Sequence, residues 1–188
     1  MTRSTFILAS ASPRRLQLLQ QAGLSPDKVI PAEIDETPKK AEAPLAYVKR
    51  MAAEKLAAAG TPDAVVLAAD TVVAMGRRIL PKAEDEHTAR KCLGQLSGRR
   101  HRVYTAVAVS YKGKTQQAVV MTQVKFAKLS ASDINAYIAS GEWRGKAGGY
   151  AIQGVAEAFI PWISGSHSGV VGLPLAETLR MLRQTGAL

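Results

Sequence analysis

Ser10-Ala11-Ser12-Pro13-Arg14-Arg15 joins a short apolar run, Phe6 to Ala9, to a helical pattern that Gly23 ends. Ser12 reads as an N-cap and Pro13 suits the first helical position, so the segment is a strand, a cap and a charged first turn. Arg14 and Arg15 then stand where the helix dipole is already positive, which costs a few tenths to ~1 kcal/mol per charge at an exposed terminus. A bound anion would offset that cost. Free backbone N–H groups, two guanidinium forks and the hydroxyls of Ser10 and Ser12 together suit a polyphosphate. A solvated Arg pair on an ordinary capped helix is the competing account.

Downstream, Lys28 to Ala32 is a short strand candidate leading into an acid-bearing loop, Glu33-Ile34-Asp35-Glu36. Pro44 to Ala59 has helical period, and Leu45, Val48, Ala52 and Lys55 share one face. Lys55 therefore falls on the buried stripe, either snorkelling to water or aimed into a cleft. Ala64 to Ala69 is an uninterrupted apolar run, the sign of a strand covered on both faces, and Thr71-Val72-Val73 resumes it after Asp70. An unpaired carboxylate there costs several kcal/mol, so Asp70 must cap a turn, pair with a cation or face a solvated site.

Gly76-Arg77 reads as a turn, Lys82 as part of a connection, and Glu84 to Leu96 as a helix. Gly98 to Lys114 and Thr115 to Lys128 form a hairpin around Tyr111-Lys112-Gly113-Lys114. Ser130 to Asp133 has capping-box spacing for a helix that Ser140-Gly141 stops. Gly145 to Gly154 is glycine-rich, Val155 to Ile163 a strand candidate, Ser164 to Gly169 a loop, and Pro174 starts a final helix through Leu182. No composition break or repeat marks a separate domain, so residues 1–188 are expected to form a single α/β unit.

A chain of 188 residues should bury about 70% of the surface its unfolded form exposes. Cys92 is the only cysteine, which excludes an internal disulfide and, with its place in a helical pattern, reads as a small core residue in a reducing cytoplasm. No apolar stretch has signal-peptide or membrane-spanning form, so no membrane partner is expected. The net charge of +10 favours an acidic partner, whether nucleic acid, a membrane surface or a phosphorylated small molecule. The few aromatics are dispersed and lack the spacing of a base-stacking surface, which counts against nucleic acid.

Two motifs fail. Gly141 to Ala147 is one residue short of a P-loop and ends in Ala where the metal-binding hydroxyl belongs, while Gly165-Ser166-His167-Ser168-Gly169 centres on His and is no nucleophile elbow. What survives is a set of cations (Arg14, Arg15, Lys55, Lys82) and carboxylates (Glu36, Asp70), the parts of a metal-assisted phosphoryl-transfer site.

The stretches Ser10 to Arg15, Glu54-Lys55, Ala69 to Val72, Leu96-Ser97-Gly98, Lys146 to Gly154 and Val171 to Leu175 together resemble the Maf family of nucleoside triphosphate pyrophosphatases. The Tyr150-Ala151-Ile152-Gln153-Gly154 form is similar to the subgroup acting on dTTP and UTP. The resemblance implies a Maf/ITPase-like fold, with a central mixed twisted β-sheet flanked by helices and a cleft between two lobes. It implies release of pyrophosphate and a nucleoside monophosphate, a divalent cation (Mg²⁺ or Mn²⁺) and a homodimer. By the same resemblance Asp70 is the proton acceptor for the attacking water, and Glu36 with Asp70 holds the metal. Ser10, Arg14, Arg15, Lys55 and Lys82 hold the triphosphate; Arg14, Thr71 and Gln153 match positions associated with base choice. A Gln amide can donate to O4 and accept from N3–H of uracil or thymine. Pro81-Lys82-Ala83 departs from the family's usual Gly-Lys-Pro. The competing function is a basic nucleic-acid-binding or cell-division regulatory protein with little turnover.

Overall fold

The computed structural model describes residues 4–187. Its frame is a seven-stranded mixed sheet, built around the long strand that contains Asp70. In chain order the elements are β1 (Phe6–Ala9), α1 (Pro13–Gln21), β2 (Lys28–Val29), α2 (Pro44–Ala59), β3 (Val65–Met75), β4 (Arg78–Leu80), β5 (Lys82–Ala83), α3 (Glu86–Leu96), β6 (Arg100–Tyr111), β7 (Lys114–Lys125), α4 (Ala131–Ser140), β8 (Lys146–Ala147), a 3-10 helix (Val155–Phe159), β9 (Trp162–Ser164), α5 (His167–Val171) and α6 (Leu175–Gln184). The strand order is β2-β1-β3-β6-β7-β9, with β4 also on β3 and a separate β5–β8 pair. The expected mixed sheet flanked by helices is thus present, parallel where β1 meets β2 and β3 and antiparallel elsewhere.

Alternation along β3 sends Val66, Ala68 and Val72 to the face covered by α2, and Val65, Leu67, Ala69 and Val73 to the opposite core. Asp70 shares the α2 side. Pro44 occupies the first turn of α2 and Gly60 follows its end, and the helix buries Tyr47, Val48, Met51, Ala52, Lys55, Leu56 and Ala59. Each large apolar member of that stripe contributes roughly 1.5–3 kcal/mol by burial. Lys55 contributes none, so its place has to be justified by charge. Leu45, expected on the same face, is instead exposed, because the stripe runs through Pro44 and Tyr47 rather than one position round.

β1 accompanies β3 only as far as Ala9 opposite Ala68, and β4 joins the same edge of β3 only from Leu80 opposite Val73. Between those points the chain leaves β1 for α1, and the edge of β3 at Asp70 and Thr71 is left open. This break in the sheet is the floor of the cleft described below.

Several local expectations change. Ser12 occupies the N-cap position of α1, but its side chain makes no capping hydrogen bond; its own N–H donates to Ser10 Oγ. Lys82 lies in a two-residue strand rather than a connection. The strand expected at Val155 to Ile163 is a 3-10 helix followed by β9. Ala156 is fully buried and Phe159 packs on the core, an i, i+3 spacing that suits three residues per turn, and Glu142 Oε2 accepts from the Val155 N–H at 2.8 Å. The expected Ser164 to Gly169 loop becomes α5 from His167, capped by Ser166. The hairpin has a two-residue loop with positive φ at Lys112 and Gly113, as a twisted two-residue turn requires.

Many of the aromatic residues pack inside the molecule, although Trp162 is exposed with the Arg100 guanidinium over its ring. Phe126 meets His101, Tyr150 and Phe159 edge-on or tilted, and Tyr137 meets Phe159. No base-stacking platform is left by this cluster. His101 donates or accepts at Nε2 with Tyr150 Oη at 2.7 Å, its Nδ1 is buried without a partner, and burial pushes its pKa down to about 4. A folded-state pKa below the unfolded value of about 6.5 means that the neutral ring's stabilisation is complete above that pH and is lost as pH falls toward 4, on the order of 3 kcal/mol in all. Urea titrations at stepped pH should show this loss in the parent protein, and His101→Phe should flatten that part of the profile; an unchanged profile in the variant would remove His101 as its source.

Candidate active site

The cleft encloses about 640 Å³ and is lined by Ser10, Arg14, Arg15, Glu36, Lys55, Asp70, Thr71, Lys82 and Gln153 among others. All the residues singled out from the sequence for substrate, metal or base therefore border one cavity. They arrive from the end of β1, the first turn of α1, the loop before α2, α2 itself, β3, β5 and the glycine-rich segment after β8. Gln153 stands exposed on the rim, while Asp70 is 5% and Lys55 7% exposed.

Lys55 is the centre of the arrangement. Its Nζ lies 2.6 Å from Asp70 Oδ1 and 2.7 Å from Glu36 Oε1, and the second Glu36 oxygen accepts from Lys82 Nζ. One ammonium thus joins two carboxylates brought from separate segments. Burial acts to raise the Glu36 pKa, but hydrogen bonds from Lys55 and Lys82 outweigh it and hold the group at about 2. The loop carrying Glu36 is fixed by its own carbonyl, which accepts from Tyr47 Oη at 2.7 Å.

The two arginines of α1 diverge. Arg15 turns inward, where its Nε donates to the Gly172 carbonyl at 2.9 Å, Nη1 to Ser10 Oγ at 2.8 Å and Nη2 to Thr71 Oγ1 at 3.3 Å. Burial lowers its pKa, and the nearby Asp70 and Glu36 act in the opposite sense. Three of its five N–H groups are therefore used to tie together three parts of the wall. Thr71 belongs to the same network: Thr105 Oγ1 donates to the Gly169 carbonyl at 2.6 Å and lies 3.1 Å from Thr71 Oγ1. Arg14 faces the cleft instead, half-buried, with its Nε lacking any hydrogen-bond partner.

Sequence reasoning passed over two further cations on this cleft, Arg144 and Lys146. They sit in a stretch dominated by glycine, whose obvious signal is backbone freedom rather than side-chain chemistry. With them the cleft presents six Lys and Arg side chains against two carboxylates, an imbalance suited to a strongly anionic ligand. Among the described residues no group of three or more His, Cys, Asp or Glu could cage a metal ion. The paired Glu36 and Asp70 do suit a hard cation that takes one or two carboxylates and completes its shell with phosphate oxygens and water.

A family model described as Maf-like protein matches residues 5–185. A dTTP/UTP pyrophosphatase of Novosphingobium aromaticivorans is 60% identical over 183 residues, 96% of this chain and 91% of its own length. Another from Cereibacter sphaeroides is 58% identical over 183 residues, 97% of this chain and 95% of its own. Among solved structures, a HAM1 protein from Coxiella burnetii superposes with a TM-score of 0.45 at 17% identity, covering 66% of this chain and 73% of its own, a likeness too partial to bear on the site.

The divergence of the two arginines is measurable in stability. Arg15→Ala takes the side-chain donor from the Gly172 carbonyl and one partner each from Ser10 Oγ and Thr71 Oγ1, and should cost about 3 kcal/mol in urea unfolding. Arg14→Ala removes a side chain whose Nε is unpaired and should change stability by under about 0.5 kcal/mol. Equal losses in the two variants would contradict the division of roles.

Proposed function

The chain belongs to the Maf-like protein family, and from that premise we propose that it hydrolyses dTTP and UTP to the nucleoside monophosphate and pyrophosphate. The observation that carries the reading is the Lys55 ammonium held between Asp70 and Glu36 at the bottom of a cation-rich cleft. The names of its relatives, dTTP/UTP pyrophosphatases at 58–60% identity, support the choice of substrate.

In this reading Asp70 takes the proton of a water that attacks the α-phosphate. Its position at the open edge of β3 puts the carboxylate beside the cavity while Lys55 compensates its charge. Lys55, Lys82 and Arg14 neutralise and orient the triphosphate, with Ser10 adding a hydroxyl; Arg15 contributes its charge from beneath and fixes the wall. Gln153, on the rim, offers its amide to the O4 and N3–H of a pyrimidine. Thr71, its hydroxyl engaged by Arg15 and close to that of Thr105, influences the base side through the shape of the wall.

Glu36 and Asp70 would hold a divalent cation, Mg²⁺ or Mn²⁺, that enters with the nucleotide. When bound, such a cation offsets phosphate charge and shields the carboxylates from the substrate's own repulsion. A homodimer and a cytoplasmic setting belong to the same proposal; among the described residues no helix is long and apolar enough to cross a membrane.

A pyrophosphate-release assay over UTP, dTTP, CTP, ATP and GTP with each metal tests the proposal. UTP and dTTP should be preferred, and turnover should require added metal. Asp70→Asn should lower kcat by about 10²–10⁴-fold, the range for loss of a positioned general base. Turnover that survives this substitution would exclude Asp70 as the base, and a preference for purine triphosphates would exclude the substrate assignment.

A further inference from the structure

The cleft wall also carries cations that form no salt bridge. Arg14, Arg144 and Lys146 all border the cleft, and among the described residues none of them is in a salt bridge. Glu36 and Asp70 are already taken by Lys55 and Lys82. Glu142, which acts on Lys146 from a distance, accepts from the Val155 N–H instead. Among the described residues Lys146 Nζ donates only to the carbonyl of Arg144, at 3.0 Å. Burial first and then the nearby Arg14 push the Lys146 pKa down, while Glu142 acts in the opposite sense.

Nor is Lys146 on a free loop. β8 pairs with β5, with Ala83 opposite Lys146; the Gly145 N–H donates to the Ala83 carbonyl at 2.9 Å and the Gly148 N–H to the Pro81 carbonyl at 3.0 Å. Gly148 has φ +66, and a Cβ there would stand 2.9 Å from Val73 Cγ1. The backbone after Lys146 is thus pressed against β3 three residues beyond Asp70. The stem of Lys146 is therefore held in place while its ammonium, at the open side of the cleft and in no salt bridge, is available to an anion.

We propose that Lys146, together with Arg14, holds the pyrophosphate that departs when the α-phosphate is hydrolysed. The inference rests on the function proposed above. In the step concerned, the oxygen of water bonds to the α-phosphorus and the bond to the α–β bridging oxygen breaks. The electron pair stays on the bridging oxygen of the departing pyrophosphate, and the proton of water goes to Asp70. Lys146 and Arg14 meet the charge that accumulates on that leaving group.

Isothermal titration with inorganic pyrophosphate, and separately with UMP, in Mg²⁺-containing buffer tests this. Lys146→Met should weaken pyrophosphate binding by at least about tenfold, and Lys146→Arg should retain most of it, since both cations pair with phosphate oxygens. UMP binding should be unaffected in both. Lys114→Met, at the distant hairpin turn, removes the same charge and should bind pyrophosphate like the parent protein. Parent-like pyrophosphate binding in Lys146→Met, or an equal loss in Lys114→Met, would overturn the inference. Absence of turnover on every triphosphate, with Lys146-dependent pyrophosphate binding intact, would instead remove the proposed reaction and leave the anion site standing.

Discussion

The contact between Lys55 and Asp70 is the constraint to which the other features of the site answer. Either group alone in this interior would be strongly unfavourable, and removal of one partner from such a pair typically costs about 3–5 kcal/mol. Together, with Glu36 on the second side of the same ammonium, they are tolerated. The consequence extends to the fold: α2 must lie on the even-numbered face of β3, and the loop before α2 must return far enough to bring Glu36 in. Tyr47, one helical turn from Met51 and two from Lys55, both packs in that helix–sheet core and holds the Glu36 carbonyl. Packing and electrostatics are set by the same stripe of α2.

A second determinant is where the sheet is interrupted. β1 and β4 share one edge of β3 without meeting, so backbone and side chains at Asp70 and Thr71 border open space while their flanks are fully paired. A ligand site made in this way combines rigid support with access, much as sites form where open α/β sheets change direction. The alternation of the strand then divides labour between neighbours. Asp70 meets Lys55 on one face, and Thr71 meets Arg15 and Thr105 on the other.

Much of this was legible in the sequence because the relevant signals are local. The helical period from Pro44 to Ala59 marks α2, and the apolar run broken by a single acid marks β3 and its unusual residue. Legibility ended where local signals were ambiguous. Val155 to Ile163 is mostly apolar, with Glu157 its one charge, so strand and 3-10 helix leave similar traces until Ala156 and Phe159 are seen to point inward together. Leu45 has the right spacing from Val48 but the wrong phase, which only the neighbouring Pro44 and Tyr47 resolve. Arg14 and Arg15 look equivalent in the chain; their opposite orientations follow from Gly172, a partner no local pattern could supply. Lys146, though it opens one of the stretches that carry the family resemblance, suggested no role of its own because the glycines around it dominate the stretch.

The bond from Arg15 to the Gly172 carbonyl spans 157 residues of chain. At synthesis rates of about 5–20 residues per second, the first of these groups leaves the ribosome on the order of ten seconds before the second. Until then the guanidinium has no carbonyl to receive it, and the segment from Ser10 to Thr71 has to persist with an unsatisfied buried cation or remain unlocked. The cleft is therefore a late product of biosynthesis: a nascent chain lacking its final helices can own most of the side chains that line it and still be unable to align them.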